Sequence, residues 1–289
     1  MLITITAMLI TIIKDPITPP MSMDTNTATI ADAIMSTART TKTTKTTSTT
    51  TSPRTRTITR TEPMATSTTD PSLALFAWLS PAYPVGAFAY SHGVEWAVEC
   101  GDVSDGASLY AWIDALLVHG SGRNDALLFA AAWRAAQTSA LTDIAELAVA
   151  LAPSKERRLE TLQQGSGFLA ATQAAWPCVK LDDAIKAIDA HKAYPVCFAA
   201  ALAAHNLPLR PALDGFIAAF AGNLVSAAVR LSVLGQTEAQ AILARLSPTI
   251  SRVADEAECG TLDDLGSCAF RADIASFHHE TQYSRLFRS

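Results

Sequence analysis

Cysteine is scarce in this chain. There are five in 289 residues (Cys100, Cys178, Cys197, Cys259 and Cys268), and no two form a C-x-x-C pair. That is too few for a disulfide framework and points to a reducing compartment. Basic charge is also lacking: 22 Lys and Arg stand against 27 Asp and Glu, giving a net charge of -5. A nucleic-acid binder usually shows a basic face, so no nucleic-acid partner is expected. No membrane partner is expected either. The most apolar run, residues 1–13, includes three threonines and falls short of the roughly 20 apolar residues of a spanning helix. No Lys or Arg precedes it, as a signal peptide would require.

Catalytic motifs are missing as well. There is no G-x-x-x-x-G-K-[ST] phosphate loop and no H-E-x-x-H zinc pair. The nearest approach to G-x-S-x-G is Gly165-Ser166-Gly167, which sits in a helical pattern rather than at a strand–helix elbow. Gly120-Ser121-Gly122-Arg123 reads as a turn between helices. Cys197, in an apolar segment, reads as a small core residue. His278, His279 and Glu280 invite a metal reading, with Cys259 and Cys268 upstream. Adjacent helical residues point about 100° apart, however, and the cysteine spacing matches no common zinc pattern. The sequence therefore predicts no catalytic residue, cofactor or resident metal.

What is present divides sharply near residue 70. Residues 1–70 hold 24 threonines and no glycine. Such a segment has little to bury and cannot offset its ordering entropy, so it is expected to be disordered. Two readings stand for it: a real leader, or an upstream extension with Met21, Met23, Met35 or Met64 as the true start. Residues 71–289 carry 15 basic and 22 acidic residues, so they are more acidic than the whole.

From residue 71 onward the periodicity is helical, and alternating β-branched runs are absent. Leu109, Trp112, Ile113, Leu116 and Leu117 recur at i, i+3, i+4, i+7 and i+8, one apolar helix face. An Ala-rich helix follows over 126–137. Thr142 or Asp143 is expected to cap a helix to 151, and Ser154 one over 155–175. Further helices are expected over 181–191, 194–206, 213–234 and 238–246. The segment 194–206, apolar almost all round, is expected to be the central buried helix. Gly235 is placed at a helix C-terminus. Thr237 with Gln240 reads as a capping box, and Pro248 as a stop. The expected fold is all-α, a single helical domain of about nine or ten helices over 71–289.

Two clusters stand apart from the helical pattern. The first, residues 79–96, contains Tyr83, Phe88, Tyr90, Ser91, His92, Glu95 and Trp96 with Pro81, Pro84, Gly86 and Gly93. Prolines and glycines fix a non-helical path, and loops on a rigid scaffold carry function. Gly86 or Gly93 is expected at positive φ or at a close backbone approach. The second cluster, residues 279–289, interleaves Arg285 and Arg288 with Tyr283, Leu286 and Phe287. Arginine and aromatics dominate protein–protein hot spots. This strip either docks on another protein or folds back on its own domain.

At these clusters the chain resembles the UreF-type urease accessory protein family. The similarity runs from about residue 72 to 289. It is carried by Ser80-Pro81, Pro84-Val85-Gly86-Ala87-Phe88, Tyr90-Ser91-His92-Gly93-Val94-Glu95, Asn124-Asp125, Glu156-Arg157-Arg158, Gln163-Gln164-Gly165, Ala228-Val229-Arg230-Leu231 and Leu234-Gly235-Gln236. The stretch from His279-Glu280-Thr281 to Phe287-Arg288-Ser289 is the most specific. Val94 and Phe277 depart from the family's more usual Leu and Met.

The resemblance implies a dimeric, cytoplasmic accessory protein without catalysis of its own. Its implied partners are a UreD/UreH-type accessory protein, a UreG-type GTPase and apo-urease, into which nickel is inserted. On this reading Tyr90, Ser91, Gly93, Glu95, His279, Glu280, Tyr283, Arg285, Leu286, Phe287, Arg288 and Ser289 are the partner-binding residues. A rival reading is an all-α metal-dependent hydrolase using His278, His279 and Glu280. Another is a GTPase-activating factor working through Arg123 or Arg230.

Overall fold

The structure, a computed structural model, describes residues 71–289. The expectations for residues 1–70 lie outside the described residues. Eleven α-helices form, with two 3-10 turns and no strand among the described residues. The helices are α1 (Pro71–Leu79), α2 (Val94–Glu99), α3 (Gly106–His119), α4 (Ser121–Ala135), α5 (Ala140–Ala150) and α6 (Lys155–Ala175). They continue as α7 (Val179–Ile188), α8 (Tyr194–Ala204), α9 (Leu209–Arg230), α10 (Gln236–Cys259) and α11 (Phe270–His279).

As its composition predicts, α8 is the buried centre, with α6, α4 and α7 packed around it. Its alanines and Cys197 leave room for neighbouring backbones. Burial pushes the Cys197 thiol well above its ordinary pKa, which keeps it inert. Phe198 of α8 stacks on Phe168 of α6 at 4.8 Å, and Trp78 of α1 meets both rings edge-on. Each such side chain contributes about 1.5–3 kcal/mol on burial. All five cysteines are unpaired.

Several expected boundaries are corrected. Pro248 lies inside α10 instead of ending it. Its missing N–H falls on the exposed side, where water can reach the freed carbonyl. The buried face carries on through Ile250, Val253, Ala254 and Ala257, which hold the helix to the core. Gly235 is the N-cap of α10, not the C-terminus of α9. Ser232 takes the left-handed position there, at φ 63°, with Val233 N–H donating to Ala228 C=O and Ser232 N–H to Val229 C=O. Helix α9 begins four residues before the expected position, because Pro211 sits in its first turn, where an N–H has no partner anyway. Ser121–Arg123 is the first turn of α4 rather than a separate turn. Helix α5 starts at Ala140, ahead of Thr142. Ser154 does cap α6, its hydroxyl accepting from Arg157 N–H.

No run was expected to be long and apolar enough to cross a membrane, yet α9 is, by length and composition. It is a core helix here: Leu213, Phe216, Ile217, Leu224 and Val225 are buried, and α10 lies along it.

Candidate functional site

The residues of both clusters meet on one face of α6. Arg157, Glu160 and Gln164 follow each other at i, i+3 and i+7, so they share a stripe, and that stripe is buried. Glu156 and Gln163 lie beside it. Glycine makes room for this arrangement: a Cβ at Gly165 would stand 1.9 Å from the Lys192 carbonyl oxygen.

Loop 80–93 crosses this face. Gly86 and Gly93 both take left-handed backbone, at φ 75° and 78°. Gly93 also faces α11, where an added Cβ would sit 3.0 Å from the Ser276 nitrogen. His92 adopts positive φ as well, at 58°, an unusual state for a residue with a Cβ. That twist brings its ring inward. Nδ1 lies 2.7 Å from Arg157 Nη1 and 3.0 Å from Glu160 Oε1.

The charges here are tightly coupled. For Glu160, burial alone would raise the carboxyl pKa. The Arg157 guanidinium, His92 and the Ser289 hydroxyl overcome that and hold it at about 2. Gln164 Nε2 donates to Glu160 at 2.9 Å, and Arg157 donates to its other oxygen. His92 is held below its ordinary value by burial and by Arg157. Burial raises Asp125, on α4, to about 6, against a smaller opposing pull from Arg157. Asp125, Arg157 and Thr161 line two adjoining small cavities beside α6.

The strip 279–289 lies along this loop. Glu95 is its anchor: one carboxylate oxygen accepts from Leu286 N–H at 2.6 Å, the other from Phe287 N–H at 2.9 Å. Arg288 N–H donates to Ala89 C=O, and both the N–H and the hydroxyl of Ser91 donate to Ser289 C=O. The Ser289 hydroxyl donates to Glu160 at 2.8 Å. Tyr90 OH and Arg288 share Gln163 Oε1. Glu280 accepts from Lys155 N–H at the start of α6, and Arg285 bonds Glu156 at 2.7 Å. The strip thus folds back on its own domain, with Phe287 and Ser289 buried. Tyr283 and Leu286 remain outside, the latter 63% exposed and the former wholly so. Arg285 and Arg288 are exposed as well. An open groove runs from the start of α6 past Leu159 to these arginines. Exposed Phe270, Ile274 and Phe277, at i, i+4 and i+7 of α11, add an apolar stripe just before the strip.

The metal reading is overturned by geometry. His278 is at the surface, stacked on Trp96 at 4.9 Å, while His279 is fully buried. His279 faces Glu95 with Nε2 at 3.0 Å and Glu156 with Nδ1 at 2.6 Å, on opposite edges of the ring. Glu280 is turned to α6. The three groups reach three different places and share no ion position. No cluster of three metal-ligating side chains occurs among the described residues. Neither arginine of the GTPase-activating reading is free. Arg123 bonds the Asp264 carbonyl at 2.5 Å, and Arg230 lies between the Phe88 and Phe287 rings.

Of the expected site residues, Tyr90, Ser91, Gly93, Glu95, His279, Phe287 and Ser289 are brought together inward, and they hold the strip. The α6 residues Arg157, Glu160 and Gln164 were not singled out as site residues. Their signal was charged and amide groups at the same helical phase as buried Phe168 and Thr172. Phe88, an aromatic of the first cluster, is 70% exposed.

The comparisons with known proteins agree on one family. The UreF family model matches residues 103–247. The urease accessory protein UreF of Xanthobacter autotrophicus is 55% identical over 220 residues, covering 75% of this chain and 90% of that protein. UreF of Methylorubrum populi is 49% identical, covering 75% of this chain and 99% of its own. UreF of Bradyrhizobium diazoefficiens is 50% identical, covering 74% and 90%.

Proposed function

The chain belongs to the UreF family of urease accessory proteins, and from that premise we propose that it acts, without catalysis of its own, as a scaffold for nickel insertion into apo-urease. It joins a UreD/UreH-type protein to a UreG-type GTPase and couples GTP turnover to metal delivery. Nickel is cargo on this reading, not a resident cofactor. The scaffold works in the cytoplasm, which suits five unpaired cysteines. It works as a homodimer, since closed two-fold symmetry is the commonest homo-oligomer.

The observation that carries this reading is how the strip 279–289 is held. Glu95, Ser91 and Glu160 bind its backbone and its buried side chains from inside. Tyr283 and Leu286 are thereby presented outward on a pre-ordered backbone. Exposed apolar groups in one place mark an interaction surface. Pre-ordering removes part of the entropy that docking a loose tail would lose. Arg285 and Arg288 can add charge-assisted bonds at the rim.

Co-elution with the UreD/UreH-type partner tests it. Replacing Tyr283→Ser and Leu286→Ser together is expected to leave the circular dichroism unchanged and weaken the complex about 30-fold or more, the scale of a hot-spot pair. Unchanged affinity would remove the strip from the interface.

A further inference from the structure

We propose that Arg230 is a positioning residue: its guanidinium, stacked between the Phe88 ring of the loop and the Phe287 ring of the terminal strip, is the clasp that keeps the strip seated. The inference rests on the scaffold reading for its consequence, though not for its geometry. Arg230 is the last residue of α9, a rigid core helix. Its Cζ lies 3.7 Å from the centre of the Phe88 ring and 4.3 Å from that of Phe287. One ring belongs to residues 80–93 and the other to the strip, and no other cation among the described residues stacks on two rings.

The hydrogen bonds of Arg230 do not explain this placement. Nε donates to Ser226 C=O of its own helix at 3.3 Å, and Nη1 donates to Phe88 C=O. Nη2 is buried with no partner among the described residues. A guanidinium placed for hydrogen bonding would not leave a buried donor idle. What the group gains here is two aromatic faces, which only a flat cation can cover on both sides. Burial lowers the Arg230 pKa somewhat, and it remains charged at any physiological pH.

The clasp also accounts for Phe88, an aromatic ring 70% exposed just ahead of the buried run 90–93. Its side chain forms the outer layer of a three-part stack whose inner layer is Phe287, 4% exposed. The bonds to Glu95 and Ser91 hold the strip's backbone. The stack holds its one buried apolar side chain, Phe287.

The test uses the full chain and reads hydrogen exchange at the Leu286 and Phe287 amides, both bonded to Glu95. Arg230→Lys keeps the charge and a donor for Phe88 C=O but cannot stack on both rings. Phe88→Leu removes the outer ring and keeps that carbonyl. Each is expected to speed exchange of the two amides about tenfold, the scale of one partly buried cation–π contact, while α8 amides stay unchanged. The double variant is expected to match Arg230→Lys alone, because the two groups act as one unit. Unchanged exchange in Arg230→Lys, or effects that simply add, would overturn the clasp. If Arg230→Lys unfolds the domain, the surface variant Phe88→Leu decides alone. Partner capture is read on the same samples. A loosened strip with full partner capture would sink the docking surface and leave the clasp standing. A firm strip with lost capture would sink the clasp and leave the docking surface.

Discussion

Gly86 and Gly93 share a backbone state but not a neighbourhood, which makes them a controlled pair. Each has left-handed φ, so an alanine at either position costs about 1–2 kcal/mol. A Cβ at Gly86 would meet nothing within 4 Å among the described residues, whereas one at Gly93 meets the Ser276 backbone at 3.0 Å. Gly93→Ala is therefore expected to destabilise the fold clearly more than Gly86→Ala in urea melts. Equal losses would mean that α11 yields. Asp125 gives a pH signature. Its folded pKa, raised by burial to about 6, exceeds the ordinary 3.8, so its favourable contribution is full below pH 4 and lost as pH rises through 6. Glu160 is lowered to about 2, so its contribution is lost only in acid, below 4.5. His92, lowered by burial and Arg157, works against Asp125, because the unfolded chain takes up its proton near 6.5. Comparison with Asp125→Asn separates the two. The variant's stability minus the parent's should be larger at pH 7.5 than at 5.5; a difference independent of pH would show Asp125 to be solvated.

At the scale of elements, the long apolar faces were legible in the sequence and the punctuation was not. Helix α8 announced itself by apolar residues on every side, and α3 by its i, i+3, i+4 pattern. Proline misled twice, because sequence alone does not say which side of a helix faces water. Pro211 falls in a first turn and Pro248 on an exposed flank, and at both places the missing N–H is tolerated. Gly235 misled because Ser232 had already closed α9. Pro248 remains a local weakness in α10. Pro248→Ala is expected to restore a helical hydrogen bond and raise stability by about 1–3 kcal/mol. A loss of stability in thermal melts would mean that the proline shapes a bend the packing needs.

Over the whole molecule, both halves of the site were visible as odd clusters, yet their meeting was not. Nothing in local pattern says that Glu95 anchors the backbone of Leu286, 191 residues further on. Nor does it say that Arg157 and Glu160 form the floor beneath both. The sequence offered two fates for the terminal strip, docking or folding back. The structure folds it back and leaves Tyr283 and Leu286 outside. The scaffold account needs both features at once: a strip fixed from within and recognised from without.

Nickel loading of apo-urease in a purified mixture tests that account most directly. The mixture holds nickel, a carbon dioxide source, GTP, and the UreD/UreH-type and UreG-type partners. Nickel per urease is measured by elemental mass spectrometry with this chain present, absent, or carrying Tyr283→Ser and Leu286→Ser. The account predicts that the parent chain fills urease, and that omission and the double variant leave it nickel-poor alike. Equal filling without the chain, or with the double variant, would contradict it.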